Sequence, residues 1–356
     1  MKISADNLTS LATAILSHAG ADADAARRVA TRLVGANLTG HDSHGVGMIP
    51  AYVEGVMAGQ LDPAAQAQLV RENGPFLLVD GQRGFGHIIA EQAMDMAIQR
   101  ARENQIAVLS LRNSFHLGRL ADWGAMAAEA GFICIIYANV QTAQPLVAPF
   151  GGSDGRFVTN PYCTAIPATD KNPMFLLDMA TSTIAKGKVR VAHLSGKTVA
   201  DGALIDAAGR PTNDPAVMFD SPLGALTTFG AHKGFGLALL GDILGGSFSG
   251  GGAFAPDRQV PSRIINNMMA ILIAPDALGA GADFNRDMDA YTAWVKGSPP
   301  APGVEAVQFP GDPERACAQD RQAGGIPVDP GTWGQLLDTA RTAGVPQDQI
   351  DRFSAA

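Results

Sequence analysis

Residues 76–89 read FLLVDGQRGFGHII: a strand-like run, a glycine turn, then the start of a helix. A doubly wound α/β protein places its G-x-G-x-x-G dinucleotide fingerprint in this setting. Here the pattern fails at the third glycine, because Gly84-Phe85-Gly86 is followed by Ile89 at that position. The other candidate, Gly234-Phe235-Gly236, carries Leu239 there. The run GGSFSGGG (245–252) lacks the Lys-Ser/Thr of a phosphate loop and reads as a mobile loop. The chain is α/β by its alternation of elements, but without a Rossmann signature.

The glycines still need an explanation. There are 41 among 356 residues, against about 7% in ordinary proteins, and each costs backbone entropy on folding. Charged residues make up 17%, below the usual ~25%, which excludes a charge-rich disordered chain. A net charge of −8 with no basic tract argues against nucleic acid or an anionic membrane as partner. An anionic substrate would have to be drawn in by local cations. Cys134, Cys163 and Cys317 match no disulfide or zinc spacing. The longest apolar run, Phe132 to Tyr137, is too short to span a bilayer, and the N-terminus lacks a signal peptide's apolar region. The expectation is a soluble, cytoplasmic protein.

Toward the N-terminus, Leu8, Leu11, Ala12 and Ile15 mark one amphipathic helix ending near Gly20, and Val29, Leu33 and Ala36 a second. HDSHGVGMIP (41–50) interrupts the pattern before a short helix at 52–57. A helix over 88–103 and a strand over 106–111 follow. The runs FICIIYANV, CTAIP and MFLLDMA read as further strands, and NNMMAILIAP (266–275) as a late one. Helices are expected at 117–130, 181–193, 232–246 and 282–296, and again in the tail from 328, where Asp329 is the cap. Residues 1–75 with 305–356 form a helical domain from both termini, and 76–304 a sheet-containing domain.

Several clusters could carry chemistry. His41-Asp42-Ser43-His44-Gly45 sets histidine beside a carboxylate and a hydroxyl, which suits proton exchange near neutral pH. The same residues also read as a helix end with its capping loop. A metal site on His41 and His44 is conceivable, but no third ligand stands at a zinc spacing. Asn113-Ser114-Phe115-His116-Leu117-Gly118-Arg119 lies where a strand gives way to a helix, whose N–H groups attract anions; the plainer reading is an N-cap with His116 solvated. Thr159-Asn160-Pro161 and Asp178 through Ser182 supply turn and cap groups at strand ends. His232-Lys233 opens a helix with cations against its dipole, which favours an anionic ligand.

Taken in order, HDSHGVGMIPAYVEG, NSFHLGRLADWG, VAPFGG, RFVTNPYC, FLLDMATSTIAKGKVRVA, PLGALTTFGAHKGFGL and DILGG resemble the malate/L-lactate dehydrogenase family of the type-2, non-Rossmann kind, over nearly the whole chain. The resemblance implies a family-specific NAD(P)-binding fold with a mixed, largely antiparallel sheet and N- and C-terminal helices, working as a homodimer. It implies hydride transfer between NAD or NADP and a 2-oxo acid/2-hydroxy acid pair. His44 is the proton donor, oriented by Ser43 or Asp42, with His116 as second choice. Cofactor contacts fall on His44, on Gly118, Arg119 and Leu120, and on Leu176, Leu177, Asp178, Met179 and Ala180. Further ones fall on His232, Lys233 and Asn266, and on Gly311, Asp312, Pro313 and Glu314. The substrate side is lined by Met48, Tyr52, Arg119, Thr159 and Asn160.

Two departures sharpen the expectation. Many family members carry an arginine for the substrate carboxylate where this chain has Met48, and Arg119 is the candidate replacement. A less cationic pocket is compatible with aryl 2-oxo acids such as phenylpyruvate. Imine-reducing members carry aspartate where this chain has Lys188, which argues against that activity. Malate/lactate-type or ureidoglycolate-type dehydrogenation within the family is an alternative. So are a metal-dependent hydrolase or lyase using His41, Asp42 and His44, and a ligand-binding protein without turnover.

Overall fold

The computed structural model describes residues 1–142, 144–255 and 264–355. Helices α1 (Ala5–His18) and α2 (Ala23–Leu38) form where the apolar spacing predicts them. Ser4 Oγ accepts the Asn7 N–H at 3.3 Å, and Asp22 Oδ1 accepts those of Asp24 and Ala25 at 3.0 and 2.9 Å. These bonds satisfy N–H groups that have no partner within the helix. Helix α3 (Ile49–Met57) joins them, and the C-terminal helices α10 (Pro330–Ala343) and α11 (Gln347–Ala355) pack into the same core. Strand β1 (Lys2–Ile3) pairs antiparallel with β12 (Ile326–Pro327), tying the two ends of the chain together.

The main sheet contains β2 (Gln68–Asn73), β3 (Phe76–Asp80), β4 (Ile106–Ser114), β5 (Ile133–Gln141), β6 (Tyr162–Ile166), β7 (Phe175–Met179) and β11 (Ile265–Ile273). Its seven strands run in the order β2-β3-β4-β11-β5-β6-β7. All pairings are antiparallel except β3 with β4. A parallel pair needs a long crossover, supplied here by α4 (Gly86–Asn104). Helices α4 and α5 (Leu120–Glu129) bury their apolar faces on the sheet around Trp123, Leu109, Ile136 and Met268. A smaller three-stranded sheet, β8 (Leu204–Ile205), β9 (Pro211–Thr212) and β10 (Ala225–Leu226), shares its core with α6 (Lys186–Leu194) and α7 (His232–Leu240). Helices α8 (Gly281–Lys296) and α9 (Asp312–Gly324) lie between the sheet and the C-terminal helices in sequence.

Backbone hydrogen bonds join the turn after β3 to the loop after β4. The Gly81 N–H donates to the Arg112 carbonyl at 2.8 Å, that of Arg83 to Asn113 at 2.7 Å, and that of Phe115 to Gly84 at 3.1 Å. The parallel β3/β4 pairing thus continues into both loops. A Cβ on Gly86 would lie 2.1 Å from the His116 carbonyl oxygen, and one on Gly81 3.0 Å from the Ser114 Cα. These glycines let two backbones meet.

Elsewhere the structure departs from the expectation. Helix α5 begins only at Leu120, because Asn113 and Gly118 take positive φ of 54° and 71° and hold the intervening segment as a loop. The 232–246 helix is α-helical to Leu240 and then widens into π-helical turns over Gly241–Ser247. GGSFSGGG is packed at its glycines: a Cβ would come within 2.4 Å of Asn139 Nδ2 at Gly246 and 2.0 Å of Asn267 Oδ1 at Gly251. Strand β2 escaped sequence reading because its residues are all exposed and carry no alternation. Helix α9 fully buries none of its residues and shows no apolar period.

Gly86→Ala should lower stability by about 1–3 kcal/mol, the usual penalty of overpacking. Gly35→Ala in α2, where nothing lies within 4 Å, should instead stabilise by up to about 1 kcal/mol. Urea denaturation of the two variants beside the wild type checks both signs.

Candidate active site

His44 ends a short 3₁₀ turn, Asp42–His44, anchored on the end of α2. Asn37, buried in α2, accepts the Val46 N–H at 2.9 Å and donates to Asp42 Oδ1 at 2.7 Å. Gly45 passes so close that a Cβ would sit 2.1 Å from Asn37 Oδ1. His116 comes from the loop after β4. There the Leu117 N–H donates to Asn266 Oδ1 at 2.9 Å, and Trp123 Nε1 donates to the Leu117 carbonyl at 3.0 Å. The two imidazoles stack with centroids 5.5 Å apart and planes at 17°.

Each ring has its Nδ1 occupied. Ser43 Oγ lies 3.0 Å from His44 Nδ1, and Tyr52 Oη lies 2.7 Å from His116 Nδ1. Tyr52 is fully buried, and burial pushes its phenol well above the ordinary range, so it stays neutral. Pairing at Nδ1 leaves Nε2 as the ring nitrogen that these hydroxyls do not engage. Burial, helped by His41 and Arg119, lowers His44 to about 4. His116 is also held well below the usual value, first by burial and then by His44 and His87. Behind them lies His87, 1% exposed, its Nδ1 without a hydrogen-bond partner and its pKa lowered by burial to about 3.

The rest of the polar cluster faces other partners. Asp42 pairs with Arg321 at 2.7 Å, and His41 Nε2 lies 3.4 Å from Glu314. Ser43, not Asp42, therefore adjoins the His44 ring. His41, Asp42 and His44 do not converge on one point. Among the described residues no three His, Cys, Asp or Glu side chains gather as metal ligands. Arg119 is committed to Asp122, with Nε at 3.1 Å, and to Thr39 Oγ1 at 2.8 Å.

Three segments expected to hold the cofactor adjoin one another. The Ala121 N–H at the start of α5 donates to Asp178 Oδ2 on β7 at 2.7 Å, and the Leu176 N–H donates to the Pro310 carbonyl at 3.2 Å. Gly118–Leu120, Leu176–Ala180 and Gly311–Glu314 thus meet where α5 and α9 begin, with Gly118 and Gly311 in the left-handed region at φ 71° and 95°. Burial raises Asp178 to about 6, opposed by the Ala121 N–H and Arg119 and reinforced by Asp122 and Glu314. The carboxylates of Asp178 and Glu314 offer acceptors to the hydroxyls of a ribose, and on that chemistry the residues present fit NAD(P).

Other expected residues are placed differently. His232 and Lys233 stand exposed at the start of α7, His232 edge-on to Phe150 at 5.8 Å. Met48 precedes α3 and packs against the helical core. Thr159 gives its carbonyl to Thr181 Oγ1 at 2.8 Å. Asn160 is buried and donates to Asp242 Oδ2 at 2.7 Å and to the Ala238 carbonyl at 3.0 Å.

Asn160 belongs to a network that the sequence reading missed. Asn139 Nδ2 donates to Asp242 Oδ1 at 3.1 Å, and Asn267 Nδ2 to Asn139 Oδ1 at 2.9 Å. Asn267 Oδ1 in turn accepts the Asn113 N–H at 3.0 Å, just before the His116 loop. Burial raises Asp242 above the usual carboxylate value, with Asn139 and Asn160 opposing the rise. The available signal was asparagine inside strands that are otherwise apolar (Asn139, Asn266 and Asn267).

The pattern of the malate/L-lactate dehydrogenase family matches residues 3–337. Hydroxycarboxylate dehydrogenase B of Escherichia coli K12 is 42% identical over 354 residues, spanning 99% of this chain and 97% of its own. L-lactate dehydrogenase of Cupriavidus necator is 38% identical, spanning 97% of this chain and 99% of its own. An Escherichia coli structure described as a candidate malate/lactate dehydrogenase superposes with a TM-score of 0.95 at 42% identity, covering 100% of this chain and 99% of that one. The chain belongs to the malate/L-lactate dehydrogenase family.

A buried histidine that stays neutral when folded, but binds a proton when unfolded below about pH 6.5, makes stability rise with pH in that window. Between pH 7 and pH 5, His87 alone should cost about 2 kcal/mol. His87→Gln should remove that share of the pH dependence, read from urea denaturation at the two pH values.

Proposed function

We propose that the chain is an NAD(P)-dependent 2-hydroxycarboxylate dehydrogenase that reduces 2-oxo acids, with His44 as proton donor. The stacked His44/His116 pair carries this reading, because each Nδ1 is fixed by a hydroxyl and Nε2 is left for the reaction. Bound NADH or NADPH supplies the hydride that C2 of the oxo acid receives. His44 Nε2–H gives its proton to the carbonyl oxygen, and Ser43 Oγ accepts from Nδ1–H while the ring is cationic. Asn266 and Gly86 hold the His116 loop beside it. In the reverse direction neutral His44 takes the hydroxyl proton. The names of the relatives support small hydroxy or oxo acids as the substrate class. Met48, uncharged where many relatives carry arginine, supports an aryl substrate such as phenylpyruvate.

The 2.7 Å bond to buried Tyr52 orients His116 as well as Ser43 orients His44, which makes His116 the alternative donor. Exposed Leu239, Leu240, Ile243 and Phe248 on α7 and its π-helical extension support a homodimer that covers them. Among the described residues no helix is long and apolar enough to cross a membrane.

Loss of NAD(P)H absorbance with a panel of 2-oxo acids tests the activity; no oxidation with any of them would overturn it. His44→Ala should lower kcat by about 10²–10⁴-fold, more than His116→Ala does; the opposite order makes His116 the donor. With His44 near 4 in the free enzyme, kcat/KM for hydroxy-acid oxidation should be flat above about pH 5, because the base is already neutral. For oxo-acid reduction, kcat/KM should fall about tenfold per unit over the same range. Steady-state rates between pH 4.5 and 8 check both slopes.

A further inference from the structure

A 2-oxo acid brings a carboxylate into a chain of net charge −8, so a local cation must receive it. The obvious candidates near His44 are spent. Arg119 is bound to Asp122 and Thr39, Arg321 to Asp42, and position 48 is methionine. The first turn of α6 packs against the loop that carries His44: a Cβ on Gly187 would sit 3.6 Å from the Cβ of Ser43, whose hydroxyl adjoins the His44 ring.

We propose that Lys186, the first residue of α6, holds the substrate carboxylate. Its side chain is half-buried, and among the described residues it makes no ion pair or hydrogen bond. Burial lowers its pKa, with no carboxylate opposing the shift. A partly desolvated ammonium without a counterion is costly unless an anion meets it. Lys188 and Arg190 stand exposed on the same helix, likewise without acidic partners among the described residues, and add a positive field at its surface. Lys186 thus takes over the task that Met48 cannot perform, and its flexible stem suits a substrate held as a point charge.

The inference rests on the 2-oxo acid reading, so its test separates the two. In the presence of NADH, Lys186→Gln should raise KM for the 2-oxo acid about 10- to 100-fold, the scale of a lost charge-assisted hydrogen bond. KM for NADH should stay unchanged, and Lys186→Arg should recover part of the loss. Exposed Lys197→Gln serves as control, and thermal melts confirm that each variant folds. Calorimetric titration of oxamate, a carboxylate-bearing analogue, into the enzyme–NADH complex gives a readout independent of turnover. Oxamate binding that weakens in Lys186→Gln supports the proposal even if no oxo acid turns over. Unchanged substrate KM and oxamate affinity, or a rise in KM for NADH instead, overturns it while leaving the 2-oxo acid reading in place.

Discussion

The contact between Gly86 and the His116 carbonyl joins the start of α4 to the loop that ends β4, at a distance no side chain allows. From it follow the position of His116, the reach of Tyr52 from α3, and the seat of Gly118 against His87, where a Cβ would lie 2.3 Å from Nε2. The parallel β3/β4 pairing sets the distance between the two segments, and the glycines let that pairing run past the ends of the strands. The turn that looks like a failed nucleotide fingerprint is therefore a piece of scaffold. Its work is to present a histidine.

The electrostatics follow from the same closeness. His44, His87 and His116 are all held toward the neutral form, mainly by burial, then by His41 and Arg119 for His44, by Arg32 and His44 for His87, and by His44 and His87 for His116. Nearby, at the starts of α5 and α9, Arg119 pairs with Asp122, while Asp122 and Glu314 join burial in raising Asp178. Arg119 is held by Asp122 and Asp42 by Arg321, so neither charge is free to meet the imidazoles. A proton on His44 is thus poorly stabilised in the free protein, and an arriving anion would strengthen its hold.

Much of this was legible in the chain. The amphipathic helices at both ends follow from Leu8, Leu11, Ile15, Val29 and Leu33, and the buried strands from runs such as FICIIYANV. His44 and His116 were both singled out, and the structure stacks them. What stayed hidden depends on contacts between distant residues. Nothing local announces that Asn267 would bond Asn139, or that Arg119 would be taken up by Thr39 and Asp122. β2 and α9 were hidden because neither presents a buried face with a period to read.

Strand β11 occupies the middle of the sheet between β4 and β5, although it comes from residues 265–273, late in the chain. It also brings Asn266, which holds the His116 loop, and Asn267, which closes the asparagine network. A ribosome that has released only the first two hundred residues has therefore delivered β4 and β5 with facing edges still unpaired. The sheet closes by insertion, not by growth from one side, and its long-range pairings are slow to form. Until then two open strand edges are exposed to other nascent chains, so the late arrival of one strand governs both when the candidate site appears and how vulnerable the chain is before it does.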